Sequence, residues 1–217
     1  MSDLKFTPDL IQCQVTHVDV SGQQVMVWAQ TDTQSALRLE QLMDAHFKAM
    51  FDKYFTGGGD SVTQTDPQEG KYYVYCDKSN RNFYRVLVKT VDTTAANQSL
   101  IVFVDFGYAE VVANDRLMVY EPLFVDCHPL AEPFVLGGVC PPKNQSKGWD
   151  QMKVKQCLKR FLNAVLWFAI YGSSPALDVA FGHLSRKMAK IYDNNRQEIV
   201  AKTLYNEYFN ETDDPYD

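Results

Sequence analysis

The stretch Val102-Phe103-Val104-Asp105-Phe106-Gly107-Tyr108 joins two runs of strand-forming residues near the middle of the chain. Gly107 interrupts the β pattern, and an isolated glycine inside a strand pattern marks a sharp bend or a close backbone approach. Aromatic side chains stand on both sides of this predicted bend. We therefore expect them to project towards one end of a small β-structure.

Short strands surround this stretch. β-type runs span residues 72–76, 83–91, 100–106 and 109–113, and polar turns at 77–82 and 92–98 separate them. Closely spaced short strands with turn signals are typical of a small barrel or sandwich. A further strand is predicted at 134–139.

The flanks of this barrel have a different order of elements. Strands are predicted at 11–15 and 24–30, and a helix at 36–55, where apolar residues recur every three or four positions. Behind the barrel we predict a helix at 149–163, strands at 165–171 and 176–181, a strand or helix at 184–191 and a closing helix at 197–209. This order indicates a barrel inserted into a second unit made of two segments.

The aromatic residues around the bend form a candidate cation site. Tyr84, on a neighbouring predicted strand, can face Phe103 and Phe106. Each ring face attracts a cation with about 0.5–2 kcal/mol, and Asp105 and Glu110 add negative charge nearby. Aromatic residues in strands more often belong to the core, so residue types alone leave both roles open.

Two motifs resemble the signature of extended Tudor domains, in which W-Y-R-A is followed by Y-I-D-Y-G-N. The first is Phe83-Tyr84-Arg85-Val86, and the second is Phe103-Val104-Asp105-Phe106-Gly107-Tyr108. In that family a Tudor barrel of the SH3-like type is inserted in a staphylococcal-nuclease-like, oligonucleotide-binding-type (OB) barrel, and a linker helix precedes the Tudor part. The resemblance covers nearly the whole chain and implies an α+β, mostly β fold.

The same resemblance implies a division of the chain. Residues 10–56 and 149–209 correspond to the split nuclease-like subdomain, with the linker helix at 36–55. Residues 71–140 correspond to the Tudor barrel, and 210–217 form an acidic tail.

The family also implies a function. Extended Tudor domains are non-enzymatic readers of methylated arginine, usually symmetric dimethylarginine, in the N-terminal tails of PIWI-type Argonaute proteins. They act as scaffolds of piRNA silencing. The resemblance therefore implies an arginine-rich Argonaute tail as partner, no cofactor, a peptide in the cleft between the two barrels, and a cytoplasmic, perinuclear germ-granule location.

The family cage is carried over only in part. Tyr108 stands where the family has an asparagine, and Cys76 falls near the first-strand aromatic, with Tyr75 expected on the opposite face by strand alternation. An unmodified guanidinium keeps five donors and favours carboxylates, whereas a methylated one favours rings. We hypothesise an arginine reader with relaxed or no need for methylation; a standard symmetric-dimethylarginine reader is the alternative. The predicted peptide-binding residues are Tyr84, Phe103, Asp105, Phe106, Tyr108, Glu110 and Cys76.

Composition limits the other function classes. A net charge of −6 and a pI of about 5.2 disfavour a nucleic-acid-binding domain and favour a basic partner. The five cysteines include no C-x-x-C pair, which argues against a disulfide framework or a structural zinc site. Without a secretory pattern or a long apolar run, we expect a soluble intracellular protein with reduced thiols.

Three other readings stay open. A metal-dependent nuclease needs clustered carboxylates together with basic groups, and we find no such set in the sequence. RNA binding through the flanking barrel is a second possibility, since Lys153, Lys155, Lys159 and Arg160 lie close together. A dimerising unit is the third.

Overall fold

The computed structural model describes residues 10–21, 23–51, 66–92, 97–119, 128–141, 148–174 and 186–209. The chain divides into two compact units: the split unit, Met1–Thr31 with Ala131–Asp217, and the inserted unit, Asp32–Leu130. The predicted strand at 176–181 and the acidic tail at 210–217 lie outside the described residues.

Ten strands and three α-helices are described along the chain. Their bounds are β1 Leu10–Ser21, β2 Gln24–Gln30, α1 Thr33–Phe51, β3 Tyr72–Asp77, β4 Asn82–Asp92, β5 Gln98–Phe103, β6 Tyr108–Ala113, β7 Leu117–Val119, β8 Ala131–Leu136, α2 Gln151–Leu158, β9 Val165–Ser174, β10 Arg186–Tyr192 and α3 Val200–Phe209. One-turn 3₁₀ helices at Asn114–Arg116 and Lys159–Phe161 follow β6 and α2.

The split unit is a closed five-stranded barrel with the strand order β1-β2-β8-β10-β9. β1 closes it by pairing with β2 on one side and β9 on the other, and a bulge lies between Val15 and His17. Inward residues such as Phe134 and Phe168 are fully buried and meet edge to face. The helices α2 and α3 pack on each other, and Leu158 and Leu204 join the same core.

The inserted unit is a five-stranded antiparallel sheet with the order β6-β5-β4-β3-β7. Strand alternation gives this sheet two different faces. One face packs against α1 through Leu39, Met43 and Phe47. The other face carries most of the aromatic residues that the motifs singled out.

Several boundaries differ from the predicted ones for local reasons. α1 begins at Thr33, because the Asp32 carboxylate accepts the Ser35 amide (2.9 Å) and so caps the first turn. α2 begins at Gln151, where Asp150 accepts the Lys153 amide (3.1 Å). β5 ends at Phe103 instead of continuing to 106, and the ambiguous segment 184–191 is a strand.

β8 belongs to the closed barrel. It pairs with β2 and β10, although its residues fall within the range 71–140 that was predicted for the Tudor barrel. The strand is buried continuously from Pro133 to its end, so it has no polar alternation to mark its partner. Conversely, the short strand β7 was not predicted, and it pairs with β3 at the edge of the inserted sheet.

Within the described part of the chain, no helix has the length and apolarity needed to cross a membrane. Across the same residues, no group of three His, Cys, Asp or Glu side chains is placed to hold a metal ion.

Candidate functional site

A tight turn at residues 104–107 brings the two halves of the central motif together. The amides of Phe106 and Gly107 both donate to the Phe103 carbonyl, at 3.1 and 2.8 Å. Gly107 has φ +88°, a left-handed conformation that glycine adopts without steric cost. The chain therefore reverses between β5 and β6, and Phe103 pairs with Tyr108 across the turn.

Five rings meet at this turn, and we call them the aromatic cluster: Tyr75, Tyr84, Phe103, Phe106 and Tyr108. Neighbouring ring centroids are 4.3 to 6.4 Å apart, and most pairs meet edge to face. The structure thus brings together the four predicted aromatic residues and adds Tyr75, which was not among the predicted site residues.

Cys76 lies on the other face of the sheet, so its predicted place near the ligand is wrong. In the β3–β4 register, Tyr75 pairs with Tyr84 and Cys76 with Phe83. Cys76 is fully buried against the α1 face, where burial raises the pKa of its thiol to about 11. The ring of the first Tudor strand is therefore Tyr75. Backbone pairing decides this alignment, and the length of the turn at 77–82 had obscured it.

Tyr108 covers Phe103. Their rings are stacked with centroids 4.3 Å apart and an interplanar angle of 18°, and Phe103 is only 1% exposed. A guanidinium held between two parallel rings needs about 7 Å, since each contact takes about 3.5 Å. The face of Phe103 towards Tyr108 is therefore closed, and Phe103 acts as core. Burial raises the pKa of the Tyr108 phenol, with Tyr84 and Glu110 adding to the effect.

Asp105 does not add negative charge to the surface, contrary to the prediction. It is 5% exposed and accepts two hydrogen bonds from Arg85, at 2.8 Å from Nε and 2.5 Å from Nη2. It also accepts the Leu130 amide at 3.1 Å, while Arg85 donates to the His128 carbonyl at 2.9 Å. The pair fastens the turn to the segment before β8 and neutralises both charges internally.

Two other carboxylates lie near the aromatic cluster. Glu110 is exposed, and Asp77 is half-buried at the end of β3. Both negative charges help to raise the pKa of Tyr108, which shows that they act on this ring. A hydrogen bond from Ser79 lowers the pKa of Asp77 and keeps it ionised.

The turn between β3 and β4 also supplies amides. Asn80 and Asn82 donate to the Tyr84 hydroxyl, at 3.4 and 3.2 Å. Asp77 and Asn82 were not predicted as site residues. The pattern Asp-x-Ser followed by Asn-x-Asn, which closes side chains onto backbone amides two residues on, was the available signal.

The partly exposed edge of the cluster is formed by Tyr84, Phe106 and Tyr108. Together with Glu110 and Asp77 it offers ring surfaces and carboxylates side by side. Such a surface can contact the apolar stem of a long cationic side chain while the carboxylates accept hydrogen bonds from its head.

Solved structures resemble the whole chain. The extended Tudor domain of human TDRD1, in complex with a symmetrically dimethylated peptide, aligns with a TM-score of 0.66 at 18% identity over 92% of this chain and 88% of that one. The extended Tudor domain of Drosophila melanogaster Tudor-SN aligns with a TM-score of 0.65 at 20% identity, over 90% and 81%. That of Drosophila melanogaster Papi, in complex with an unmethylated Piwi N-terminal peptide, aligns with a TM-score of 0.69 at 14% identity, over 91% and 97%.

At these identities the likeness establishes the fold, which is the extended Tudor fold. No curated protein sequence matches the chain significantly. The family model of the Tudor domain, however, matches residues 7–138, more than half of the 217 residues. The chain belongs to the Tudor domain family.

Proposed function

We propose that the chain is a non-enzymatic reader that binds an arginine-containing N-terminal tail peptide of a PIWI-type Argonaute protein without requiring arginine methylation. The observation that carries this proposal is the stack of Tyr108 on Phe103 at 4.3 Å. This stack occupies ring surface that a methylated guanidinium would need, because methyl groups gain most from apolar contact on both faces.

The outer edge of the aromatic cluster suits an unmodified arginine better. Tyr84 and Phe106 are partly exposed and can contact the arginine stem. Glu110 and Asp77 are ionised acceptors for the five N–H donors that an unmethylated guanidinium retains. Each methyl group removes one of these donors, so methylation weakens this mode of binding.

Structurally similar domains support the ligand class. TDRD1 extended Tudor domains are found in complex with a symmetrically dimethylated peptide and with a MILI peptide containing dimethylarginine, whereas the Papi domain holds an unmethylated Piwi peptide. The fold therefore accommodates both forms of arginine, and side chains of the individual domain set the preference. In this chain we assign that role to Tyr108. A reader of this kind acts as a scaffold in cytoplasmic germ granules.

Calorimetry with matched Argonaute tail peptides tests the proposal. The peptides carry one arginine that is unmodified, symmetrically dimethylated or replaced by lysine. We expect the unmodified peptide to bind as tightly as the dimethylated one or more tightly, and the lysine peptide to bind more weakly, because lysine lacks the planar fork of donors.

The variant Tyr108→Asn serves as the matched comparison. It removes the ring over Phe103 and supplies an amide, so we expect it to shift the preference towards the dimethylated peptide. A tenfold or greater gain on dimethylation in the unaltered chain would contradict the proposal. Equal ratios for the unaltered chain and Tyr108→Asn would show that Tyr108 does not set the preference.

A further inference from the structure

The split unit carries a surface pocket that has no part in arginine recognition. It lies between β1 and α2 and has a volume of about 380 Å³. Its lining residues are His17, Val18, Lys155, Gln156, Lys159 and Leu162. They come from the bulge of β1, one face of α2 and the 3₁₀ turn that follows.

The charge on this pocket comes from part of the basic group at 153–160. Lys153 lies over the Tyr208 ring (4.8 Å), and Arg160 pairs with Glu207, so both are engaged by α3. Lys155 lies 3.7 Å from the Asp19 carboxylate, which Gln151 also binds (2.8 Å). Lys159 is exposed and makes no ion pair with a described residue. Lys159 is therefore the cation at this pocket that is available to a ligand.

The rest of the lining is largely apolar. Val18 is buried beneath the pocket, and Leu162 is 37% exposed at its edge. Burial and the neighbouring Lys155 lower the pKa of His17 to about 4, against a smaller opposing effect of Asp19. The imidazole is thus neutral at pH 7. The pocket combines an uncharged, apolar interior with a cationic margin.

We propose that this pocket binds an acidic peptide segment through one apolar anchor side chain, with Lys159 and Lys155 pairing with the carboxylates that flank the anchor. Burying an aliphatic or aromatic side chain stabilises the complex by removing apolar surface from water. The lysines add charge complementarity, which selects acidic partners and speeds their encounter.

A peptide fits the pocket better than RNA. Single-stranded nucleic acid is held by aromatic rings on which bases stack and by a cationic groove along several phosphates. The lining residues include no Phe, Tyr or Trp, and lysine contributes only two cations to them. The chain as a whole has a net charge of −6.

Nuclear magnetic resonance titration of the full chain tests this inference. The probe is a synthetic peptide with a central phenylalanine flanked by glutamate and aspartate. One control peptide has alanine at the centre, and oligouridylate serves as the RNA probe. We expect the acidic phenylalanine peptide to shift the resonances of His17, Lys155 and Leu162 in a saturable way, and the alanine peptide to bind more weakly.

Two variants of equal charge separate a specific site from general attraction. Lys159→Glu reverses the charge at the pocket, and Lys202→Glu reverses an exposed charge on α3. We expect Lys159→Glu to weaken peptide binding at least about fivefold and Lys202→Glu by less than about twofold, in line with the strength of a partly exposed ion pair and its reversal.

Equal weakening by the two variants, or no shifts at the pocket residues, would overturn the proposal. Tighter binding of oligouridylate than of the peptide would assign the pocket to RNA instead. Spectra of both variants establish that they are folded. The arginine-peptide titration uses residues of the inserted unit, so failure of one proposal leaves the other testable.

Discussion

Two carboxylates of the central motif have opposite surroundings although they lie close together in the sequence. Asp105 is buried and bonded to Arg85, whose side chain is 1% exposed. Glu110 is exposed on β6. A buried charge is tolerated only when it is paired and hydrogen-bonded, so Asp105 stabilises the inserted unit and leaves Glu110 as the carboxylate of the motif that a peptide can reach.

This difference predicts unequal effects of two similar substitutions. Asp105→Asn leaves Arg85 buried without its counter-charge, and we expect it to lower the free energy of unfolding of the inserted unit by about 3–5 kcal/mol. Glu110→Gln changes it by less than about 0.5 kcal/mol but weakens binding of the arginine peptide. Hydrogen exchange of the β3–β5 amides measures the first effect, and calorimetry the second. A loss below about 1 kcal/mol for Asp105→Asn would contradict the structural role of the pair.

At the scale of elements, the turn between β5 and β6 positions the aromatic cluster. Its geometry depends on Gly107 at φ +88° and on the two amides that converge on the Phe103 carbonyl. A residue with a Cβ is strained in this conformation by about 1–2 kcal/mol. Because Phe106 and Tyr108 flank the glycine, strain relieved there moves ring positions as well as backbone.

Gly70 provides a matched comparison in the same unit, since it has φ +75° and open space around an added Cβ. We expect Gly107→Ala and Gly70→Ala each to lower the free energy of unfolding by about 1–2 kcal/mol. Only Gly107→Ala should also weaken binding of the arginine peptide. Urea titration and calorimetry on both variants provide the test. If Gly70→Ala weakened binding equally, loss of stability alone would explain the effect.

At the scale of the whole molecule, the two units can be observed separately. The three tryptophans, Trp28, Trp149 and Trp167, all belong to the split unit, so their fluorescence reports on its unfolding. The same unit contains His17, whose pKa is lowered from 6.5 to about 4. Below its ordinary pKa, the unfolded chain binds a proton at this position that the folded chain does not.

Stability of the split unit should therefore fall as the pH is lowered from 6.5 towards 4. Linkage predicts a loss of about 1–2 kcal/mol from this one group, after allowance for its partial exposure to solvent. Urea titrations followed by tryptophan fluorescence at about pH 7.5 and about pH 4.5, on either side of the ordinary histidine pKa, measure it. His17→Gln lacks the titrating group, so its stability should decline less over this range. Identical pH dependence of the two proteins would exclude His17 as a source of the effect.

Much of the element order could be predicted from the sequence. β2 has the predicted bounds, and β3, β4 and β6 differ from theirs by one residue at an end, because alternation, turn residues and strand-forming side chains are local signals. The motifs around Tyr84 and Gly107 were enough to indicate the extended Tudor fold. They also placed Tyr84, Phe103, Phe106 and Tyr108 in one neighbourhood, where the structure has them.

Three features depended on the tertiary structure. The register of β3 against β4 decided that Tyr75 joins the aromatic cluster and Cys76 the opposite face, and a shift of one residue reverses every side chain. Arg85, distant in sequence, made Asp105 an internal partner. The stack of Tyr108 on Phe103 closed a ring surface. The sequence by itself determined the family and the composition of the site; only the fold decided which side chains face the ligand, because pairing between distant segments leaves no local pattern.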